Sequence, residues 1–167
     1  MSPAKHTTLT GKDDWGTPKD LYRRLHEQFA FDYDAFASHD NALCLEYSIV
    51  DGTFTRRPAP GIELVNLGVR YNKLDGLGAS WAGRRVFMNP PYSREMLGPA
   101  MKKASEERNS AAIIVALIPF DPSTKWFQNY VEPFCFIQTL KKRVRFEGAD
   151  NSAPFPCCVA IYRKELQ

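Results

Sequence analysis

The spacing of apolar positions predicts the first helix and the first strand of the chain. A helix is predicted to begin at Thr17, a good N-cap residue, with Pro18 at the first helical position. Its apolar positions share one side of the helix and are Leu21, Leu25 and Phe29. A strand is predicted over residues 31–36, because Phe31, Tyr33 and Ala35 alternate with Asp32, Asp34 and Phe36. Residues 38–41, Ser-His-Asp-Asn, predict the turn that ends this strand.

The middle of the chain predicts a strand, a turn, a helix and a second strand. Residues 85–88 form a short apolar strand, and a helix starts near Ser93. The inward side of that helix consists of Met96, Leu97, Ala100, Met101 and Ala104. Residues 111–119 form an uninterrupted apolar run, which predicts a strand that is buried on both faces and covered by helices, as in a parallel sheet.

The last third of the chain predicts one more helix and two strands. Asp121 and Pro122 can open the helix. Its apolar side consists of Trp126, Phe127, Tyr130 and Val131. Residues 134–146 and 156–162 are predicted to be strands that pair as antiparallel neighbours. The fold class that follows is a three-layer α/β domain, with a mostly parallel sheet and an antiparallel edge at its C-terminal end.

Two other segments carry weak signals. We expect residues 1–14 to be a flexible N-terminus. Residues 53–61 predict a loop and residues 62–69 a short strand, so residues 51–72 are interpreted as a loop insertion. With 167 residues the chain is long enough for one domain with a core and too short for a second, independent recognition domain. Residues 1–167 are therefore predicted to form a single domain.

Composition and charge exclude several classes of protein. A hydrophobic fraction of 44% with 25% charged residues is typical of a folded globular protein, and a net charge of +3 permits a polyanionic partner without requiring one. No apolar run reaches the length of a membrane span and no signal peptide is recognisable, so we expect a cytoplasmic protein. The cysteines and histidines lack zinc-site spacing, so no metal is expected. Cys157 and Cys158, adjacent in a predicted strand, should point to opposite faces of the sheet.

The sequence Asn89-Pro90-Pro91-Tyr92 is the strongest sign of chemistry in the chain. The exocyclic amine of a nucleobase is a poor nucleophile because its lone pair is delocalised into the ring. The side-chain oxygen of Asn89 and the carbonyl of Pro90 can each accept one amine hydrogen, which directs the lone pair at an incoming methyl group without a strong base. Pro90 and Pro91 fix the turn, and Tyr92 offers a flat face for a base rotated out of a duplex.

The position of this motif distinguishes it from an ordinary rigid turn. For an arbitrary pair of prolines, a strand-ending turn with a half-buried tyrosine is the simpler interpretation. Here an apolar strand ends directly before residue 89, and a helix starts directly after residue 92. The motif is therefore predicted to lie at the carboxyl edge of a parallel sheet, where such folds bind ligands.

These residues resemble a known family, the phage-type or Dam-like DNA N-6-adenine methyltransferases. The resemblance covers most of the chain and rests on residues 15–18 (Trp-Gly-Thr-Pro), 31–38 (Phe-Asp-Tyr-Asp-Ala-Phe-Ala-Ser), 75–77 (Asp-Gly-Leu) with Trp81, 89–92, and 151–156 (Asn-Ser-Ala-Pro-Phe-Pro). It implies a Rossmann-like methyltransferase fold, S-adenosylmethionine as methyl donor and adenine in DNA as acceptor. It also implies a phage or restriction-modification setting, in the cytoplasm of the host cell. Residues 35–38 stand where the broader class of methyltransferases has a glycine-rich loop.

By this resemblance, eight residues would contact the methyl donor. They are Trp15, Thr17, Pro18, Asp34, Ala35, Ser38, Asp75 and Asn89. Asp34 matches an acid near the donor's ammonium group or ribose, a role that Asp32 could hold instead. Asp75 matches an acid that faces the donor's ribose or adenine, or is a solvated aspartate in a turn. Thr17 and Pro18 match a segment at the methionine end of the donor, where a helix N-terminus suits a carboxylate, or they simply start the helix.

The base and DNA contacts are predicted around residues 151–156. Phe155 and Ser152 would line the base pocket with Tyr92, or Phe155 is a turn aromatic that caps the core. If that turn closes over the base pocket, nearby basic residues would hold the phosphates on either side of the flipped nucleotide; otherwise they form a solvated face. They are Lys141, Lys142, Arg143 and Arg145. Sequence recognition must then come from loops or from a second protomer, so a homodimer is left open.

Two other functions remain open at this point. The same motif suits methyl transfer to another planar amine or amide, in RNA or at a protein glutamine. The chain could also be a non-catalytic nucleic-acid-binding module that has kept the fold, although the intact Asn89, Pro90 and Tyr92 argue against it.

Overall fold

A computed structural model of the chain describes four stretches, residues 15–38, 41–49, 70–72 and 76–165. The predictions for the flexible N-terminus at residues 1–14, for Asp75, and for the loop and short strand within residues 53–69 lie outside these stretches. They stay predictions.

Three helices and seven strands form in the described residues. In chain order they are α1 (Lys19–Phe29), β1 (Tyr33–Ala37), β2 (Glu46–Ile49), β3 (Arg70–Asn72), β4 (Arg85–Met88), α2 (Arg94–Glu107), β5 (Ile113–Pro119), α3 (Lys125–Tyr130), β6 (Cys135–Thr139) and β7 (Cys157–Tyr162). None of these helices is long and apolar enough to cross a membrane.

The described strands form one sheet in the order β3-β2-β1-β4-β5-β7-β6. The pairs from β3 through β5 are all parallel, whereas β7 runs antiparallel to both β5 and β6. The predicted α/β class, with a mostly parallel sheet and an antiparallel C-terminal edge, is confirmed. From β1 the chain proceeds outward through β2 and β3, and then returns to β4 on the other side of β1. The strand order therefore reverses between β1 and β4.

Apolar side chains cover both faces of the central strands. Val86 and Met88 of β4 belong to a core cluster that includes α2 and α3, whereas Phe87, between them, belongs to a second cluster that includes α1. Cys158 belongs to the first cluster and Cys157 to the second, so the prediction that they face opposite sides of the sheet is confirmed. Burying one large apolar side chain stabilises a fold by about 1.5–3 kcal/mol, and residues of both clusters are almost fully buried.

The predicted boundaries differ from the observed ones at several points. α1 begins at Lys19, with Pro18 as its N-cap residue, so the prediction of Thr17 as N-cap was wrong by one position. The reason is that Gly16 pairs with Glu147 in an antiparallel bridge and Pro18 keeps an extended ψ of 128°. α3 begins at Lys125 instead of Asp121, because a turn precedes it in which the Thr124 N–H donates to the Asp121 carbonyl at 3.2 Å.

Other strands were missed or misjudged in length. β2 and β3 have no counterpart among the predicted strands. β6 ends at Thr139 instead of reaching residue 146. The first strand begins at Tyr33, and all five of its side chains are buried because β1 lies between two parallel neighbours. Residues 85–88 and 111–119 were predicted correctly as strands within two residues, as was the helix after Ser93.

Candidate active site

Asn89 follows directly after β4, at the carboxyl end of that strand, and is half-buried. Its amide nitrogen Nδ2 donates a hydrogen bond to the backbone carbonyl of Trp15 at 3.0 Å. Its amide oxygen Oδ1 accepts a hydrogen bond from the Tyr92 hydroxyl, also at 3.0 Å. Both ends of the Asn89 side chain are therefore fixed. Pro90 and Pro91, which follow it, are buried.

The Tyr92 hydroxyl lies between two acceptors. Besides Asn89 Oδ1 it donates to the backbone carbonyl of Leu117 in β5, at 3.0 Å. Burial raises the pKa of Tyr92 well above its ordinary value, with a further contribution from the nearby Cys157. The hydroxyl is therefore protonated at neutral pH, so it acts as a hydrogen-bond donor and not as a base.

The aromatic group at this place consists of three rings, those of Tyr92, Phe146 and Phe155. The ring of Tyr92 meets Phe146 and Phe155 edge to face, with both centroids at 5.8 Å and interplanar angles of 74° and 68°. A base stacked between two parallel rings needs about 3.5 Å on each side, which is more than this separation allows. Tyr92 and Phe155 are thus brought together as predicted, but as perpendicular neighbours. Ser152, the other predicted base contact, is exposed.

The segment around Trp15 lies against the same aromatic group. The Trp15 ring packs against Phe146 with its centroid at 6.5 Å, and its indole Nε1 is buried with no hydrogen-bond partner in the described part of the chain. The Glu147 N–H donates to the Gly16 carbonyl at 2.8 Å. Glu147 Oε1 also accepts the Lys19 N–H at 3.3 Å, so a carboxylate of the protein already lies at the N-terminus of α1, where the donor's carboxylate was expected.

Asp34 lies in β1, beside β4, and is almost completely buried. Burial raises the pKa of Asp34 to about 7, and the backbone N–H groups of Leu43, which donates to Oδ2 at 3.2 Å, and of Phe36 lower it only in part. Its other oxygen, Oδ1, has no hydrogen-bond partner among the described residues. An acceptor buried without a partner costs about 1–3 kcal/mol, so this oxygen suits a ligand that can donate to it.

Three other residues predicted to contact the methyl donor are Ser38, Thr17 and Ala35. Ser38 follows the carboxyl end of β1, where its carbonyl accepts the Ala42 N–H at 3.0 Å, and Thr17 is buried at the start of the α1 segment. The side chain of Ala35 lies in the core, and a Cβ added to Gly76 would come within 2.0 Å of the Ala35 carbonyl oxygen. The side chain of Ala35 therefore offers no contact to a ligand, and its carbonyl lies against Gly76.

The alternative acid, Asp32, lies at the opposite end of β1. It is exposed, and its Oδ1 accepts the backbone N–H of Arg85 at 2.9 Å. Because Arg85 is the first residue of β4 and Asn89 follows its last, Asp32 and Asn89 lie at opposite edges of the sheet.

The four predicted phosphate contacts lie on one exposed segment beside the aromatic group. All four are exposed, and none forms an ion pair within the described residues, whereas Val144 and Phe146 between them are buried. They are Lys141, Lys142, Arg143 and Arg145. The Ala153 N–H donates to the Val144 carbonyl at 2.7 Å, which joins this segment to residues 151–156. Burial raises the pKa of the Cys157 thiol, which lies beside the Tyr92 hydroxyl, to about 12, and Arg143 offsets this only in part.

Comparison with known proteins identifies the family. Residues 4–55 and 70–161 match the family described as DNA N-6-adenine-methyltransferase (Dam). The chain belongs to the Dam family. Residues 56–69, which the match leaves out, fall inside the segment interpreted as a loop insertion.

Two phage members of this family are similar to the chain. The DNA N-6-adenine-methyltransferase of Escherichia phage T1 is 29% identical over 119 residues, which are 70% of this chain and 40% of that protein. The DNA N-6-adenine-methyltransferase of Haemophilus phage HP1 (strain HP1c1) is 26% identical over 129 residues, 76% of this chain and 61% of that protein. The chain thus matches less than two thirds of the length of either relative.

Three chemical groups at the candidate site were not predicted from the sequence, and all three lie within the segments that match the Dam family. They are the ring of Phe146, the carboxylate of Glu147 and the backbone carbonyl of Leu117. The alternation of exposed cations with Val144 and Phe146 was a signal for the first, because it predicts that residue 146 faces inward. No sequence pattern marks the other two, since each acts through a contact with a distant segment.

The described residues do not form a recognisable metal site. The described residues contain no group of three or more histidine, cysteine, aspartate or glutamate side chains arranged to hold a metal ion. All four cysteines are free thiols.

Proposed function

We propose that this chain transfers a methyl group from S-adenosylmethionine to the exocyclic amine of adenine in DNA, acting on a base rotated out of the duplex. The observation that carries the proposal is the fixed amide of Asn89, whose Oδ1 lies at the carboxyl end of β4 beside Pro90. Membership of the Dam family and the names of the two phage relatives support the same reaction.

The sheet supports a ligand site at this place. We interpret the fold as a three-layer, Rossmann-like methyltransferase fold, because the sheet is mostly parallel and helices contribute to core clusters on both of its faces. In such sheets, ligands bind outside the carboxyl ends of the strands at the point where the strand order reverses. That point lies between β1 and β4, the strands that carry Asp34 and precede Asn89.

The buried oxygen of Asp34 fits the donor. S-adenosylmethionine carries a cationic amino group and ribose hydroxyls, and either can donate to Oδ1, which has no partner among the described residues. Trp15, Thr17, Pro18, Ser38 and the Ala35 backbone complete the donor contacts that we propose, with Asp75 as a further one outside the described residues. When bound, S-adenosylmethionine supplies an electrophilic methyl group on a sulfonium. The chain itself has to hold and direct the amine.

Two acceptors direct that amine. Asn89 Oδ1 has a second lone pair beside the one that Tyr92 uses, and the Pro90 carbonyl accepts no backbone hydrogen bond within the described residues. Each can take one amine hydrogen, which leaves the nitrogen lone pair directed at the methyl group. The held amide costs no reorganisation when the base arrives. Neutral Tyr92 contributes one ring face, and in this arrangement the base stacks on that ring alone.

The exposed cations on residues 141–145 would contact DNA phosphates. They lie on the segment whose buried residues contact Tyr92 through Phe146, so a strand held there reaches the base pocket. Each phosphate contact contributes sequence-independent affinity, which falls as salt rises. Recognition of a DNA sequence must then come from loops or from a second copy of the chain, and both stay predictions.

Methyl transfer from radiolabelled S-adenosylmethionine to unmodified DNA, with RNA and a glutamine-containing protein in parallel, tests this function. We expect label in DNA alone. Label confined to RNA or protein would keep the chemistry of Asn89 and overturn the substrate. An absence of label in all three, in a preparation that also fails to bind the donor, would instead indicate a non-catalytic module.

A further inference from the structure

We propose that the hydroxyl of Tyr92, separately from its ring, positions the Asn89 amide for the reaction. This role rests on the proposed function, and it concerns an atom that stacking does not use. The hydroxyl donates to Asn89 Oδ1 at 3.0 Å from inside the aromatic group formed by Tyr92, Phe146 and Phe155.

The orientation of the amide is decided by its two partners. The Trp15 carbonyl can only accept, so the Asn89 nitrogen must face it. A rotated amide would bring two oxygens together at Trp15 and would point its N–H group at the Tyr92 hydroxyl. The observed rotamer therefore places Oδ1, the acceptor that the target amine needs, on the side of Tyr92.

Leu117 keeps the hydroxyl itself in place. Its carbonyl, in the central strand β5, lies 3.0 Å from the Tyr92 oxygen, and that strand is paired on both sides. A phenol has one proton, so the hydroxyl can favour either acceptor without moving its oxygen. Asn89 Oδ1 thus has one lone pair engaged in a bond of adjustable strength, while its second lone pair is available to the amine.

Replacing Tyr92 with phenylalanine keeps the ring and removes this hydrogen bond. We expect kcat to fall about tenfold, with the KM for DNA and the affinity for S-adenosylmethionine within about twofold of the wild-type values, because one hydrogen bond that fixes the amide is lost. The matched control is Tyr162→Phe. It removes a buried hydroxyl that also donates to a backbone carbonyl, that of Tyr130 at 2.9 Å, and has no bond to Asn89 among the described residues, so we expect it to leave kcat unchanged.

A double-mutant cycle separates positioning from a purely structural role. If the hydroxyl acts through Asn89, the phenylalanine substitution should have no further effect on single-turnover rate in an Asn89→Ala background. Additive losses, or an unchanged or increased kcat in Tyr92→Phe alone, would overturn the proposal. Wild-type enzyme assayed first keeps the two proposals apart, since an inactive wild type contradicts the function and not the positioning.

A measurement without substitution covers the case in which Tyr92→Phe is unstable. The Tyr92 hydroxyl proton should give a resonance that exchanges slowly with water in the wild-type protein, because it is bonded to Asn89 Oδ1 and the Leu117 carbonyl. Fast exchange of that hydroxyl proton would overturn the proposal even if transfer were never measured.

Discussion

Replacing Asn89 with alanine removes one hydrogen-bond acceptor from the place where we expect the target amine. Loss of a single preorganised group of this kind typically lowers kcat by about a hundredfold to a thousandfold, equivalent to about 2.7–4 kcal/mol. The affinity for S-adenosylmethionine should stay within a few fold, because the proposed donor contacts centre on Asp34 and on the segment that contains Trp15.

The structure also gives the expected effect of this substitution on stability. In Asn89→Ala the Trp15 carbonyl loses its partner, at a cost of about 1 kcal/mol, whereas the Tyr92 hydroxyl still donates to Leu117. For a chain of this size, that cost lowers the melting temperature by about 2–4 °C. The protein should therefore stay folded at the assay temperature, and the lost activity should not be explained by unfolding.

Single-turnover methyl transfer with excess enzyme measures the effect, and calorimetry with S-adenosylmethionine measures donor binding. The matched control is Asn109→Ala, which removes an asparagine oxygen that accepts the backbone N–H of Glu165 at 3.0 Å on the surface. A transfer rate within threefold of wild type in Asn89→Ala would refute the proposed role of this side chain. A loss of donor affinity as large as the loss of rate would mean that the two pockets have been assigned wrongly.

Three further substitutions test other parts of the site. Because burial raises the pKa of Asp34 from 3.8 to about 7, the native state holds a proton that the unfolded state releases, and stability from this group is lost as pH rises between these values. Compared with wild type, Asp34→Asn should therefore gain stability as the pH rises from about 4 to 7, by up to about 1.4 kcal/mol for each pH unit, and the gain should stay constant above pH 7. The same substitution should weaken donor binding, and a difference in melting temperature that does not change with pH would contradict the raised pKa. Gly76→Ala places a Cβ 2.0 Å from the Ala35 carbonyl oxygen and should lower both the melting temperature and donor affinity. The control Gly98→Ala should lower the melting temperature far less, because its Cβ meets its nearest neighbour at 3.9 Å; equal effects would show that β1 yields at this point. Lys142→Ala should reduce the slope of log affinity for DNA against log salt by about 0.9, and an unchanged slope in a filter-binding titration would place the DNA elsewhere.

The sequence allowed the centre of this fold to be predicted because strong apolar patterns coincide there with clear boundaries. Residues 85–88, the proline pair and the helix after Ser93 were located correctly, and so was the buried strand at residues 111–119. These elements lie next to one another in the chain, so local pattern alone specifies them. Their order also places Asn89 at a carboxyl edge of the sheet.

Features that depend on distant contacts could not be predicted in this way. β2 and β3 are short, and among the described strands β3 has β2 as its one neighbour, so neither has a long pattern of its own. The start of α1 is set by the pairing of Gly16 with Glu147, which are more than a hundred positions apart in the chain. The acceptor shared by Tyr92 is a backbone carbonyl, that of Leu117, and no side-chain pattern can reveal which carbonyl a hydroxyl will reach.

The most direct test of the proposed function is the identity of the methylated product. DNA incubated with the wild-type chain and S-adenosylmethionine would be digested to nucleosides and analysed by mass spectrometry, with Asn89→Ala and Asn109→Ala in parallel. We expect N6-methyladenine from the wild type and from Asn109→Ala, and at least a hundredfold less from Asn89→Ala. Methylation of cytosine instead, or N6-methyladenine formed equally by all three proteins, would contradict it.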